Sequence, residues 1–520
     1  MIMCCFSDTY TPPKFDKTSR MNDCHPKKIT KFVRLKHCDM KKLRCLYLFA
    51  ALVAMMLCTE SYARTVTGKV VCGQEALSKV VVTDGYRFTQ TKKDGSFKMK
   101  IVDTTKFVYV IAPSGYAGNW SSGAPEFYQS AEGKDNFTFD LVKTGNPSEQ
   151  YNIVAVADPQ PSKVEHTEEF AGAPLEDICQ TISSLEGATV GVVLGDVCFN
   201  KYNLMQNWKN SIVRTGVPFY AVPGNHDHVH ELKNDVESVE EYHKYFGPAN
   251  YAFFLGKDVV IMLDNIIYGV KQGKHGYSLG YTDEVIAWVK GFMKYVPADA
   301  DIYVGQHSPL NGRFKDGQLI TNAYPLLDLF KGHKVQFMSG HNHVNYNYEY
   351  APGIIEHNVA AICGTWWDAY HCPDGTPRGY KVLTKKDGVV KWYYKSVGKD
   401  KDYQYELFLP GECPRNPESI LVNLWDYDKN WYIAWMEDGK PMGAMKRVSE
   451  YNPLHTKEVE ETFARKGKPV TSWKRTQKGR HYYAAKPSEN ASEITIVIQS
   501  RFGQVWTEKI DMKKIRKSEN

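Results

Sequence analysis

The sequence predicts an α/β core flanked on both sides by β-rich segments, and three changes of texture along the chain predict it. Residues 64–147 alternate short β-type runs with Asp-Gly turns. From 148 to about 380, continuous apolar strands alternate with helical stretches, and residues 385–520 return to β-type patterning rich in Trp and Tyr. Apolar strands separated by helices describe a sheet covered on both faces, whereas short alternating strands with frequent turns describe a half-exposed sandwich.

In the first segment the runs TVTGKVVC, KVVVTDG, DGSFKMKI, KFVYVIAP and NFTFDLV each fit one strand. No chemically active residues cluster there. The segment looks like the small transthyretin-like or immunoglobulin-like β-sandwich modules that precede catalytic domains. In the core, strands are expected at YNIVAVAD, TVGVVLGD, PFYAVPGN, VVIMLDN, DIYVGQHS and VQFMSGHNH, with helices near 174–186, 203–214, 236–245 and 282–294. The third segment reads as a second β-domain, on stretches such as LVNLWDYDKNWYIAWMEDGK and ITIVIQSRFGQVWTEKI.

The N-terminus reads as an address. Met40-Lys41-Lys42-Leu43-Arg44 is basic, Leu46 to Leu57 is apolar, and Ser61-Tyr62-Ala63 is a small-x-small exit. That order is a secretory signal peptide over 40–63, and its apolar run falls short of the ~20 residues of a transmembrane span. A buried helix of a cytosolic protein does not account for the three ordered zones. Cleavage after Ala63 and a periplasmic, extracellular or cell-surface location are expected. Residues 1–39 stand upstream of a complete signal, so translation is expected to begin at Met40.

Charge follows the same division. The chain has 65 Lys+Arg and 59 Asp+Glu, a formal charge of +6, but 11 and 5 of these lie in residues 1–63. Residues 64–520 therefore hold 54 of each sign. No basic stripe is left for nucleic acid. Six cysteines remain beyond the signal: Cys72, Cys179, Cys198, Cys363, Cys372 and Cys413. An oxidising compartment permits disulfides, and Cys363 and Cys372 bracket a loop short enough to close; scattered buried thiols are an equal reading.

In the core, polar residues stand immediately after apolar strands. Asp158 and Gln160 follow one strand and Asp196 the next. Asn225, His226 and Asp227 follow a third, His307 a fourth, and His341 and His343 a fifth. Loops beyond the carboxyl ends of strands form the ligand crevice of α/β sheets, so five such ends in register point to one site. Two Asp, one Asn, one Gln and three His make an oxygen and nitrogen donor set without thiolate, suited to Mn, Fe, Zn or Mg. Seven donors exceed one ion's needs and suit two divalent metal ions sharing a bridge. Two such ions outweigh the two carboxylates and a bridging hydroxide, which leaves a positive cavity for an anionic substrate.

These blocks, Asp158-Pro159-Gln160, Gly195-Asp196, Gly224-Asn225-His226-Asp227, His307 and Gly340-His341-Asn342-His343, resemble the calcineurin-like metallophosphoesterases, in order and complete. The resemblance implies an αββα sandwich and hydrolysis of phosphomonoesters or phosphodiesters by a hydroxide bridging two metals. It implies a first metal on Asp158, Gln160, Asp196 and His343, and a second on Asp196, Asn225, His307 and His341. It also gives His226 the role of proton donor to the leaving oxygen, with Asp227 orienting its ring. The departure is Gln160, where the family pattern has His; a neutral, harder donor implies a weaker first site or a harder ion. Asn200, near a position often acidic in the family, is assigned no role.

The order of β-domain, phosphoesterase core and β-rich tail, with YFGPANYAF and CGTWWDAYHCPDGTPRGY, resembles exported Bacteroidetes-type phosphoesterases. Trp366 and Trp367 in the second of these segments are candidates for stacking on substrate, with packing an equal reading, and His228 is a weak candidate contact. Substrate choice is expected in the loops 161–173, 228–250 and 308–322 and in the flanking domains. The rival reading is an exported binding protein with a vestigial core, its β-domains capturing a glycan or surface partner through Trp425, Trp431 and Trp435.

Overall fold

The structure, a computed structural model, describes residues 63–148, 150–232, 234–271, 274–312 and 318–518. The expected signal peptide, its basic segment and the start at Met40 lie outside the described residues, apart from Ala63. Among the described residues no helix is long and apolar enough to cross a membrane.

Residues 63–140 form two four-stranded sheets. One contains Ala63–Cys72, Glu75–Ala76, Ser96–Val102 and Asn136–Asp140. The other contains Val81–Thr83, Phe88–Gln90, Phe107–Ile111 and Tyr128–Ser130. Alternation drives the packing: in Ser96–Val102, Phe97, Met99 and Ile101 are buried while Lys98 and Lys100 face water. This module is welded to the core, since Phe254 N donates to Ala112 O at 2.9 Å and the Phe127 ring lies 4.6 Å from Tyr251.

The core elements run as β1 (Gln150–Val156), α1 (Val164–Ala171), α2 (Ala173–Ser184), β2 (Ala188–Leu194), α3 (Leu204–Ile212), β3 (Phe219–Val222), β4 (Tyr251–Leu255) and β5 (Asp258–Leu263). They continue as α4 (Asp283–Phe292), β6 (Ile302–Gln306), α5 (Ala323–Leu329), β7 (Val335–Ser339), β8 (Tyr346–Ala351), β9 (Ile354–Asn358), β10 (Gly379–Lys386) and β11 (Val389–Ser396). Two mixed sheets result, ordered β3-β2-β1-β10-β11 and β4-β5-β6-β7-β9-β8. β1, β2 and β3 are parallel, as are β5, β6, β7 and β9, so their carboxyl ends point one way. Helices cover the outer faces: Trp208 of α3 meets Phe219 edge-on at 6.2 Å, and Phe292 of α4 meets Phe254 at 6.0 Å. This is the expected αββα sandwich.

Two differences follow from what texture alone encodes. β10 and β11 belong to the core sheet, with β10 antiparallel to β1 through Val154 and Val382, although their alternation reads as the start of the tail. Helices α1 and α5 were not expected. At the amino ends of the strands a buried ionic cluster joins the sheets: Lys385 Nζ lies 2.6 Å from Asp258 and 2.7 Å from Asp301, and Tyr151 donates to Asp258 at 2.6 Å. One end of the sandwich is thus closed by charge pairing, and the other is left to the functional loops.

The tail forms two four-stranded sheets and two helices, α6 (Pro453–Arg465) and α7 (Met512–Ser518). Asn452 caps α6 by accepting from His455 N at 2.8 Å, and Pro453 occupies its first turn. Trp425 and Trp435 are buried and Trp431 lies stacked on Trp506 at 5.8 Å, so these three candidates pack inward rather than form an open platform, whereas Trp473 of the tail is exposed. The six cysteines are free, Cys363 and Cys372 each donating to a backbone carbonyl at 3.7 Å, so the local bridge is not formed.

Candidate metal centre

Asp158 and Gln160 sit just past β1, Asp196 past β2, Asn225 to Asp227 past β3, His307 past β6, and His341 and His343 past β7. All seven expected ligands come together. Asp158, Asp196 and His307 offer ligand atoms within 4.8 Å of one another. Two groupings meet at Asp196. On one side His343 Nε2 lies 3.5 Å from Asp158 Oδ1, and the Gln160 amide donates to Asp196 Oδ2. On the other, His307 Nε2 lies 3.4 Å from Asp196 Oδ1, 3.2 Å from Asn225 Oδ1 and 3.1 Å from His341 Nδ1.

The loops reach this arrangement through unusual backbone. Asp158, Gln160, Asp196, His341 and His343 all have φ between 43° and 69°, a left-handed conformation that costs a residue with a Cβ on the order of 1 kcal/mol or more. Glycine works here mainly by close approach. A Cβ on Gly224 would collide with the Asp196 carboxylate and amide, and one on Gly340 would strike Asp158 Oδ2.

The donor set fits metal ions. Asp158 Oδ1, Gln160 Oε1 and His343 Nδ1 are buried without a hydrogen-bond partner, which is expensive unless a cation answers them. His307 Nδ1 lies 2.8 Å from Leu194 O, so the proton sits on Nδ1 and Nε2 presents its lone pair to the centre. Burial opposes ionisation of Asp196, but the His307 and His226 imidazoles and the His226 amide hold its carboxyl below the ordinary value.

Around these donors three expectations change. Asp227 does not reach the His226 ring. Its carboxylate accepts from Gly224 N at 2.8 Å and from Val197 N and Cys198 N at 3.0 Å, joining the loops after β2 and β3. Burial and the neighbouring Asp196 charge push its pKa up to about 7. The His226 ring is held instead by Asn200, with Nδ1 2.9 Å from Oδ1, and Phe199 stacks on it at 4.1 Å. Burial lowers the His226 pKa, against the raising effect of Asp196.

His228 is no substrate contact. It is buried, with Nδ1 2.8 Å from Ser238 Oγ and Nε2 3.4 Å from Asp264. The tryptophan pair divides: Trp367 is buried and donates to Pro159 O at 2.9 Å, whereas Trp366 is half-buried and stacks on His343 at 4.4 Å.

One clamp carried no signal in the sequence. Glu356 of β9 accepts from Leu310 N at 3.0 Å, Ser339 Oγ at 3.0 Å and Tyr350 Oη at 2.6 Å. It thereby joins the loop that carries His307 to the strand that delivers His341. Its full burial pushes its pKa up to about 7, against the bonds from Tyr350, Leu310 and Ser339.

Comparison with known families gives three consecutive matches: the N terminal of calcineurin-like phosphoesterase over residues 64–144, calcineurin-like phosphoesterase over 151–345, and the C terminal of calcineurin-like phosphoesterase over 356–506. No curated protein matches the chain. Solved structures similar to it include a dimetal phosphatase from Danio rerio, 12% identical, covering 48% of this chain and 99% of that one with a TM-score of 0.32. Another is a 5'-nucleotidase from Candida albicans, 12% identical, covering 48% of this chain and 52% of that one with a TM-score of 0.31.

Proposed function

The chain belongs to the calcineurin-like phosphoesterases, a family of metal-dependent phosphoester hydrolases, and from that premise we propose that it cleaves phosphate monoesters or diesters with two divalent ions divided about Asp196. One ion is assigned to Asp158, Gln160, Asp196 and His343, the other to Asp196, Asn225, His307 and His341. The observation that carries this reading is the convergence of these donors, with Gln160 Oε1 and His343 Nδ1 buried without a hydrogen-bond partner and Asp158 Oδ1 met only by His343 Nε2 at 3.5 Å. When bound, the two ions supply Lewis acidity that activates water and neutralises charge on the phosphoryl oxygens.

The chain's own groups do the rest. His307 keeps its proton on Nδ1 through Leu194 O and so offers Nε2 as a donor. His226 donates from Nδ1 to Asn200, so only its imidazolium form carries a second proton, on Nε2, and that is the form proposed to protonate the leaving oxygen. Phe199 covers one face of the same ring and limits water there. Burial of Trp425 and Trp435 weighs against the glycan-capture reading. The basic, apolar and small zones of residues 40–63 support a location outside the cytoplasm.

Hydrolysis of p-nitrophenyl phosphate and bis-p-nitrophenyl phosphate, with added Mn and after chelation, tests the proposal. Metal-dependent turnover of either ester is expected; turnover of neither would overturn it.

A further inference from the structure

A cleft of about 540 Å3 opens beside the metal centre, between the core and the tail. Its inner wall includes Gln160, Phe199 and Trp366: one candidate ligand and the two rings stacked on His226 and His343. Its outer wall comes from the tail, from Arg465 at the end of α6, Lys466 beside it and Lys474 in the turn that follows.

The charges on these walls do not cancel. Lys466 and Lys474 share a single carboxylate, Asp368, with Lys474 Nζ at 2.6 Å, and otherwise face the Phe463 ring, so the trio keeps one net positive charge. Among the described residues the Arg465 guanidinium bonds a neutral group, Thr462 Oγ1 at 3.1 Å, and pairs with no carboxylate. Glu169 on the inner side is already taken by Arg378 at 2.8 Å, and Glu165 lies 4.0 Å from Lys163. The indole Nε1 of Trp366 is buried without a partner and adds one donor. Arg465 and Lys466 are exposed and Lys474 is half-buried, so an anion would meet them at the mouth of the cleft, where guanidinium suits phosphate and carboxylate geometry.

Building on the phosphoester reading, we propose that this cleft is a second subsite for the group esterified to the scissile phosphate, and that it takes esters whose far end carries another anion, a phosphate or a carboxylate, seated on Arg465, Lys466 and Lys474. The metal centre engages one end of such a substrate, the side of the cleft offers Trp366 for its middle, and the tail closes on its other end. On this account the C-terminal domain is a selector for substrates.

The test compares kcat/KM, in the metal-loaded full chain, for alkyl phosphates of matched length that end in phosphate, carboxylate or hydroxyl. An anionic end is expected to be preferred over hydroxyl. Arg465→Ala should cut that preference roughly tenfold, and Arg465→Glu should abolish or invert it. A preference for phosphate alone or for carboxylate alone supports the subsite and identifies its occupant. No preference, or a preference unchanged in both Arg465 variants while the hydroxyl-ended ester is still turned over, overturns the subsite and leaves the phosphoester reading standing. Absence of metal-dependent turnover of every ester overturns that reading, and the subsite with it.

Discussion

His226 Nδ1 and Asn200 Oδ1 lie 2.9 Å apart, on a ring already stacked against Phe199. A neutral amide thus fixes the tautomer and the tilt of the imidazole. Asn200→Ala is expected to lower kcat about 10- to 100-fold with little change in metal content, the usual cost of losing a partner that orients a working histidine. Asn200→Asp keeps the acceptor and should restore most of the loss. Steady-state kinetics alongside metal analysis separates the two variants.

Asp196 touches both ligand groupings and accepts from His226 N at 2.8 Å. Asp196→Asn should lose at least ~100-fold in activity and release metal on dialysis. Gln160→His should retain activity and move the metal preference toward softer ions, because imidazole is the softer and more basic donor. Elemental analysis with activity across Mn, Mg and Zn reads both outcomes.

Asp227 is bonded to three buried backbone amides. Asp227→Ala would strand them, at a cost of about 3 kcal/mol or more. Chemical denaturation of the metal-free protein should show that loss. An unchanged midpoint would return Asp227 to a purely catalytic role.

Glu356 gives the fold a pH dependence of its own. Its pKa rises from the ordinary 4.5 to about 7 on folding, so between those values the native state holds a proton that the unfolded chain has released. Stability therefore falls as pH climbs from about 4.5 to about 7, by on the order of 3 kcal/mol, and this contribution flattens above. Glu356→Gln removes that fall. Melting temperatures of both proteins across this range, after chelation, check the difference.

The strand ends were legible because an apolar run that stops at Asp158, Asp196 or His307 marks both a strand and its loop. The left-handed backbone at Asp158 and Asp196 was not legible, since Asp, though enriched at positive φ, adopts it only in a minority of positions. Asn200 was silent for a similar reason: a lone Asn four places after Asp196 reads as any turn residue until the chain brings His226 to it. Helix α6 did carry a signal, Asn452 followed by Pro453, which the surrounding β-type texture obscured. The Arg465, Lys466 and Lys474 wall depends on packing between residues a hundred or more positions from the ligands, and no local pattern encodes it.

The strand that delivers Asp158 is interior to its sheet only because β10 lies against it. Residues 379–396 are therefore the hem of the catalytic sheet, although they fall within the C-terminal family match. A recombinant fragment cut to residues 151–345 would leave the apolar β1 with an open edge, a template for pairing with other copies. Its insolubility would say nothing against the chemistry of the site. A fragment ending after Ser396 keeps that edge covered and retains the whole five-stranded sheet that supports the Asp158 loop.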